Sequence, residues 1–126
     1  MRVASVALFV PLAAFACGGE ADPTPTGSTC PTGSTLTYEN FGADFMEAYC
    51  TRCHSRELFG LERHGAPDDH NFDTLEGTLD EAEHVDSYAA AGPDAVNTIM
   101  PPGGDSPSED ERRDLGEWIA CELANP

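Results

Sequence analysis

The chain has 126 residues and a formal net charge of −17, from 23 acids against six arginines and no lysine. That length holds one domain and excludes a large multi-domain enzyme. The acidity excludes a non-specific nucleic-acid binder and a basic patch for anionic membrane, because both need Lys and Arg to meet phosphates. Large apolar side chains are few once the N-terminal run is set aside. A disulfide, a metal or a cofactor is therefore expected to fill the centre.

Residues 1–16 carry one positive charge at Arg2 and an apolar run from Val3 to Phe15, broken by Pro11. The run is too short for a stable membrane helix and reads as an export signal. Leu12-Ala13-Ala14-Phe15-Ala16-Cys17-Gly18 follows, small residues before a Cys and then Gly. It resembles the bacterial lipoprotein cleavage motif, in which the Cys becomes the first mature residue and carries the lipid. Cys17 is thus the expected lipidation site; an ordinary signal cut near Ala16 is the alternative. Loss of Arg2 leaves five bases against 23 acids, 5 − 23 = −18. Residues 17–37 are rich in Gly, Pro, Ser and Thr and predict a semi-extended tether after the anchor. Residues 38–126 are left as the folded domain.

Phe41, Phe45, Ala48 and Tyr49 recur at helical spacing, so a helix is expected from Tyr38 to Cys50. Asp73-Thr74-Leu75-Glu76 has the form of a helix cap followed by an acid, and predicts a helix running towards Ala91, with a break at Gly77. Gly92-Pro93 stops it. Asp94 to Ile99 is expected to add a helical turn or two. Ser106-Pro107-Ser108-Glu109 predicts a last helix with Ser106 as cap and Pro107 in first position. Its apolar face is Leu115, Trp118 and Ile119. No convincing strand is found, so the fold class is all-α.

Cys50-Thr51-Arg52-Cys53-His54 is C-x-x-C-H, which reads as c-type haem attachment. Two thiols three residues apart on one turn can each add to a haem vinyl group, and the next residue supplies an imidazole nitrogen to the iron. Two weaker readings use the same residues. Cys50, Cys53, His64 and His70 have near zinc-finger spacing, but Pro67 falls between the histidines and the hairpin is missing. A thioredoxin-like dithiol needs a strand leading into the C-x-x-C.

Ile99-Met100-Pro101-Pro102-Gly103-Gly104 comes later, followed by the helix ending in Leu115-Gly116-Glu117-Trp118-Ile119. With these residues the chain resembles a small, monohaem class I cytochrome c over about residues 30–123. The resemblance implies a small cytochrome c fold wrapped around one covalently attached haem c. It implies Cys50 and Cys53 as attachment points, and His54 and Met100 as the iron ligands. It places Gly42 and Trp118 where the first and last helices cross. It gives the carbonyl of Pro67 the task of holding the second nitrogen of His54. Lipid and haem leave Cys30 and Cys121, which lie near the two crossing helices and are expected to form a disulfide. The cofactor also supplies the apolar surface that the chain lacks.

His64, His70 and His84 sit in acidic stretches and read as surface residues, with His64 and His70 in reserve as ligands. Met46 is expected in the core. The function expected is a membrane-anchored electron carrier rather than an enzyme, exchanging single electrons with redox proteins of a transport chain. A haem enzyme or ligand sensor with an open distal position is one alternative. A disulfide-stabilised structural lipoprotein without haem is another. The protein is expected to be exported, monomeric and lipid-anchored on the periplasmic side of a bacterial membrane or at the cell surface. Gly18 slightly favours the outer membrane. Arg52, Arg56 and Arg63 are expected to make the face beside the haem motif the least acidic one; the whole field of about −18 is expected to steer a basic partner, and an acidic partner docking on that arginine patch is the alternative.

Overall fold

The computed structural model of the protein describes residues 22–126. The export signal and Cys17 lie outside these residues. The described chain is helical, and a single antiparallel bridge, Ala91 to Val96, takes the place of any sheet.

A π-helical turn, Tyr38–Gly42, runs straight into α1, Ala43–Tyr49. Thr37 caps it: its hydroxyl accepts from the Asn40 N–H at 3.3 Å, and its own N–H donates to Asn40 Oδ1 at 2.8 Å. This reciprocal pair satisfies two donors that the helix start leaves free. A 3₁₀ turn, Gly60–Arg63, follows the C-x-x-C-H segment. Thr74 caps α2, Leu75–Asp80, accepting from the Gly77 N–H at 3.1 Å. The expected break at Gly77 is displaced to Glu81, and α3 continues from Ala82 to Ala89. Gly77 lies inside α2, where a Cβ would collide with the Asn71 carbonyl.

Asp94 to Ile99 forms no helix. Its backbone is used elsewhere: the Asp94 N–H donates to Thr26 O at 2.9 Å, and the Asn97 N–H to Ala90 O at 2.9 Å. The last helix, α4, spans Glu109–Ala124. Its cap is Ser108, two residues beyond the expected Ser106. Ser108 pairs reciprocally with Glu111, donating its N–H to Glu111 Oε2 at 2.7 Å and accepting the Glu111 N–H at 3.2 Å.

The start of the helical region crosses α4 at Gly42 and Trp118. Tyr38 and Phe41 flank the Trp118 indole with ring centroids 6.2 and 6.1 Å away. Trp118, Leu115 and Met46 are fully buried, with Phe45, Phe72, Val85 and Ile119 around them. Met46 is therefore a core residue, as its helical position suggested.

The expected tether is not free. From Thr24 onwards it is strapped across α3 and α4. Thr26 is fully buried, and both its N–H and its hydroxyl donate to the Asp86 carboxylate. Asn97 Nδ2 donates to Thr24 O at 2.7 Å, and Ser34 donates to Glu117 at 2.6 Å. Small polar residues suit this role, because each brings its own hydrogen-bonding group to the backbone it crosses. The strap ends in a Cys30–Cys121 disulfide, with Cα atoms 4.5 Å apart across 91 residues of sequence. That pairing matches the expectation.

Candidate haem-binding cleft

Two segments far apart in sequence meet at one cleft. The first begins where α1 ends. Cys50 caps α1, and its carbonyl accepts from the Cys53 N–H at 3.1 Å and the His54 N–H at 3.0 Å. That tight turn keeps both thiols and the imidazole on the cleft wall. The second is the Met100 loop. The Met100 N–H donates to Tyr88 O at 2.9 Å, and its carbonyl accepts from Arg112 at 2.8 Å. Cys50, Cys53, His54 and Met100 all line a cavity of about 300 Å³, within the range of small-molecule sites. Phe45, Phe72, Val85, Ala89 and Pro107 supply apolar wall.

The His54 ring stacks on Phe72, with centroids 4.7 Å apart and planes at 24°. Its Nδ1 faces the His70 carbonyl at 3.3 Å. A carbonyl can only accept, so the proton sits on Nδ1 and Nε2 is left free to bind a metal. Burial lowers the His54 pKa, which favours the neutral, ligating form. The expectation for Pro67 is corrected here. Pro67 lines the cleft, but its carbonyl accepts from Arg63, and the carbonyl three residues on takes the task at His54.

The cause is Arg63, which is 3 % exposed. It donates to the carbonyls of Ser55 at 2.6 Å and His70 at 2.9 Å, and to that of Pro67, and it meets Asn71 Oδ1 at 2.9 Å. The docking patch drawn from the sequence is corrected with it. Arg52 and Arg56 are exposed, Arg56 beside Asp73 at 3.8 Å, but Arg63 is interior. Arg112 was also missed. It is 2 % exposed and reaches the carbonyls of Ala89, Asn97 and Met100. Nothing in the local sequence separates these two arginines from the exposed ones.

The competing readings gain no geometry. The four residues of zinc-finger spacing do not form a donor cluster among the described residues, and His64 is exposed in a left-handed conformation with φ of 52°. Burial pushes the Cys50 thiol up to about 12, the opposite of what a redox dithiol nucleophile needs.

The donor set and cavity fit a haem c: two thiols one turn apart, an imidazole with its second nitrogen held, and a thioether on the same apolar cleft. Arg52, exposed at the rim, also lines it and offers a cation to carboxylates. Among the described residues no helix is long and apolar enough to cross a membrane. Comparison with known proteins finds no matching family model, no matching curated protein and no matching solved structure.

Proposed function

We propose that this chain is a lipid-anchored, monohaem c-type cytochrome that carries single electrons between redox proteins. The observation that supports it best is the meeting of Cys50, Cys53, His54 and Met100 on one apolar cleft, with 45 residues of sequence between the imidazole and the thioether.

In this reading Cys50 and Cys53 would hold the haem covalently through their sulfurs. His54 Nε2 and Met100 Sδ would be the two side chains that hold the iron. Bound there, haem c supplies a one-electron couple, and a thioether ligand raises its potential. The His70 carbonyl keeps His54 in one tautomer and one orientation, and Arg112 fixes the backbone from which Met100 projects. Phe72 and Phe45 exclude water from the ligand side.

Lipidation at Cys17 would place this domain on a short leash. The strap is held to the body from Thr24, so six residues, 18–23, separate it from the lipid. Fully extended they reach about 20–22 Å. Partners would therefore be redox proteins at the same membrane face, periplasmic or at the cell surface.

An absorption spectrum of the purified mature protein tests the reading. A reduced, low-spin c-type spectrum is expected. A high-spin spectrum would point to an open distal position, and absence of visible absorbance would overturn the haem reading and leave a disulfide-stabilised lipoprotein.

A further inference from the structure

On the wall of the same cleft, which His70 and His84 line, stands a group of side chains whose imidazoles the electron-carrier reading leaves idle. His70, in the loop before α2, meets Glu81 and His84 at the start of α3. Among the described residues these three alone bring metal-ligating atoms together. His70 Nε2 lies 3.2 Å from His84 Nδ1 and 3.5 Å from Glu81 Oε2, and His84 Nδ1 lies 2.7 Å from the same Oε2. The two imidazoles stack with centroids 5.0 Å apart. We propose that His70, Glu81 and His84 form a binding site for a divalent transition-metal cation of the zinc or copper class.

The argument is geometric first. Zinc bound tetrahedrally to nitrogen and oxygen at about 2.0–2.1 Å holds its donors about 3.3–3.4 Å apart. The observed triangle has edges of 2.7, 3.2 and 3.5 Å, so the three donors already stand near the spacing of one tetrahedral face. Two His and one Glu with a fourth position open is a known zinc donor set. His84 is the exposed member, with 58 % of its side chain accessible, so the fourth position has access to water.

The second support is the outer partner. His70 Nδ1 lies 3.0 Å from Asp69 Oδ1, and a carboxylate there keeps the proton on Nδ1 and leaves the Nε2 lone pair bare. Carboxylate partners of this kind orient metal-bound histidines. The third is the field. Residues 68–86 hold eight acids and no base, which draws a divalent cation to this side of the molecule. Filling the site would tie the His70 loop to α3. Because the carbonyl of His70 is the one facing His54, the metal would also stiffen the support of that ring. The site requires no haem, and its test reads metal alone.

Calorimetric titration of the intact purified chain with Zn²⁺ decides it, with dialysis and metal analysis giving the stoichiometry. One Zn²⁺ per chain is expected. His84→Ala is expected to weaken binding at least tenfold and to leave the metal-free melting temperature unchanged, because His84 is surface-exposed. Asp69→Asn is expected to weaken binding about tenfold. His64→Ala, on the same cleft but outside the triangle, is expected to bind as the parent does. Absence of stoichiometric binding by the parent, or equal binding by parent and His84→Ala, overturns the proposal. Equal losses in His84→Ala and His64→Ala overturn it too, since they would mark diffuse attraction by the acidic surface.

Discussion

Gly42→Ala puts the helix crossing to a quantitative test. Gly42 has φ −60° and ψ −46°, ordinary helical values, so backbone strain opposes nothing. On propensity alone, alanine in a helix gains about 1 kcal/mol over glycine. Packing opposes that gain. A Cβ at residue 42 would stand 2.7 Å from Trp118 Cε2 and 2.8 Å from Cη2, and would also meet Cζ2. The indole cannot step aside easily: it is fully buried, flanked by Tyr38 and Phe41, and its N–H donates to Glu122 at 2.9 Å. Overpacking of a filled core costs about 1–3 kcal/mol, and three ring atoms at such distances put this site at the upper end. The net effect expected is a loss of about 1–2 kcal/mol, or about 5–15 °C in melting temperature for a domain of this size. Thermal unfolding followed by near-ultraviolet circular dichroism measures it. Gly42→Ala combined with Trp118→Phe should recover part of the alanine penalty, because the smaller ring vacates the collision. A single variant that melted at or above the parent temperature would refute the reasoning, since propensity would then have won.

Reduction of Cys30–Cys121, or its replacement by two serines, is expected to remove about 4–5 kcal/mol, because the bond closes a loop across 91 residues. Denaturant unfolding with and without reductant measures this, and coincident curves would count against it. If the cleft holds haem c as proposed, Met100→Ala is expected to convert a low-spin spectrum to high-spin or to a different ligand field, and to lower the reduction potential. An unchanged spectrum and potential would remove Met100 from the iron.

The sequence was most legible where chemistry is local. The C-x-x-C-H turn, the Thr74 cap and the apolar face of α4 each depend on residues within a few positions of one another. The disulfide was legible because few cysteines remained to choose from. At α4 the register slipped by two residues: the start was read at Ser106-Pro107, but the reciprocal pair forms between Ser108 and Glu111, and Pro107 is buried just outside the helix. Where the partner was remote, the signal vanished. Thr26 and Ser28 look like linker residues until α3 supplies the Asp86 carboxylate and Ala91 its carbonyl, 60 and 63 residues away. The same strap takes hydrogen-bonding groups of Asp94 and Asn97, which is why that segment does not wind into the expected turn. His70 and His84 were read as separate surface residues because nothing local reveals that the loop before α2 folds back on α3.

The two buried arginines explain how loops so poor in regular structure can present His54 and Met100 to one cleft. The chain has five arginines beyond the signal, and the fold places two of them inside. Each stands behind one ligand-bearing segment. Arg63 gathers the carbonyls of Ser55, Pro67 and His70, which fixes the strand of chain on both sides of His54 and the carbonyl that faces its ring. Arg112 gathers those of Ala89, Asn97 and Met100, which fixes the loop carrying the thioether. A guanidinium offers five donors in a planar fork, whereas an ammonium offers three on a flexible stem, so arginine can hold several divergent carbonyls at once. Removing such a cation from water costs several kcal/mol, and charge-assisted bonds to oxygen offset that cost. Burial lowers the pKa of Arg112, yet its guanidinium donates to three carbonyls and the Ser106 hydroxyl and remains the charged centre of its loop. Helices here bring the ligand segments to the cleft, and the arginines hold the irregular backbone between helices in the shape that the cleft requires.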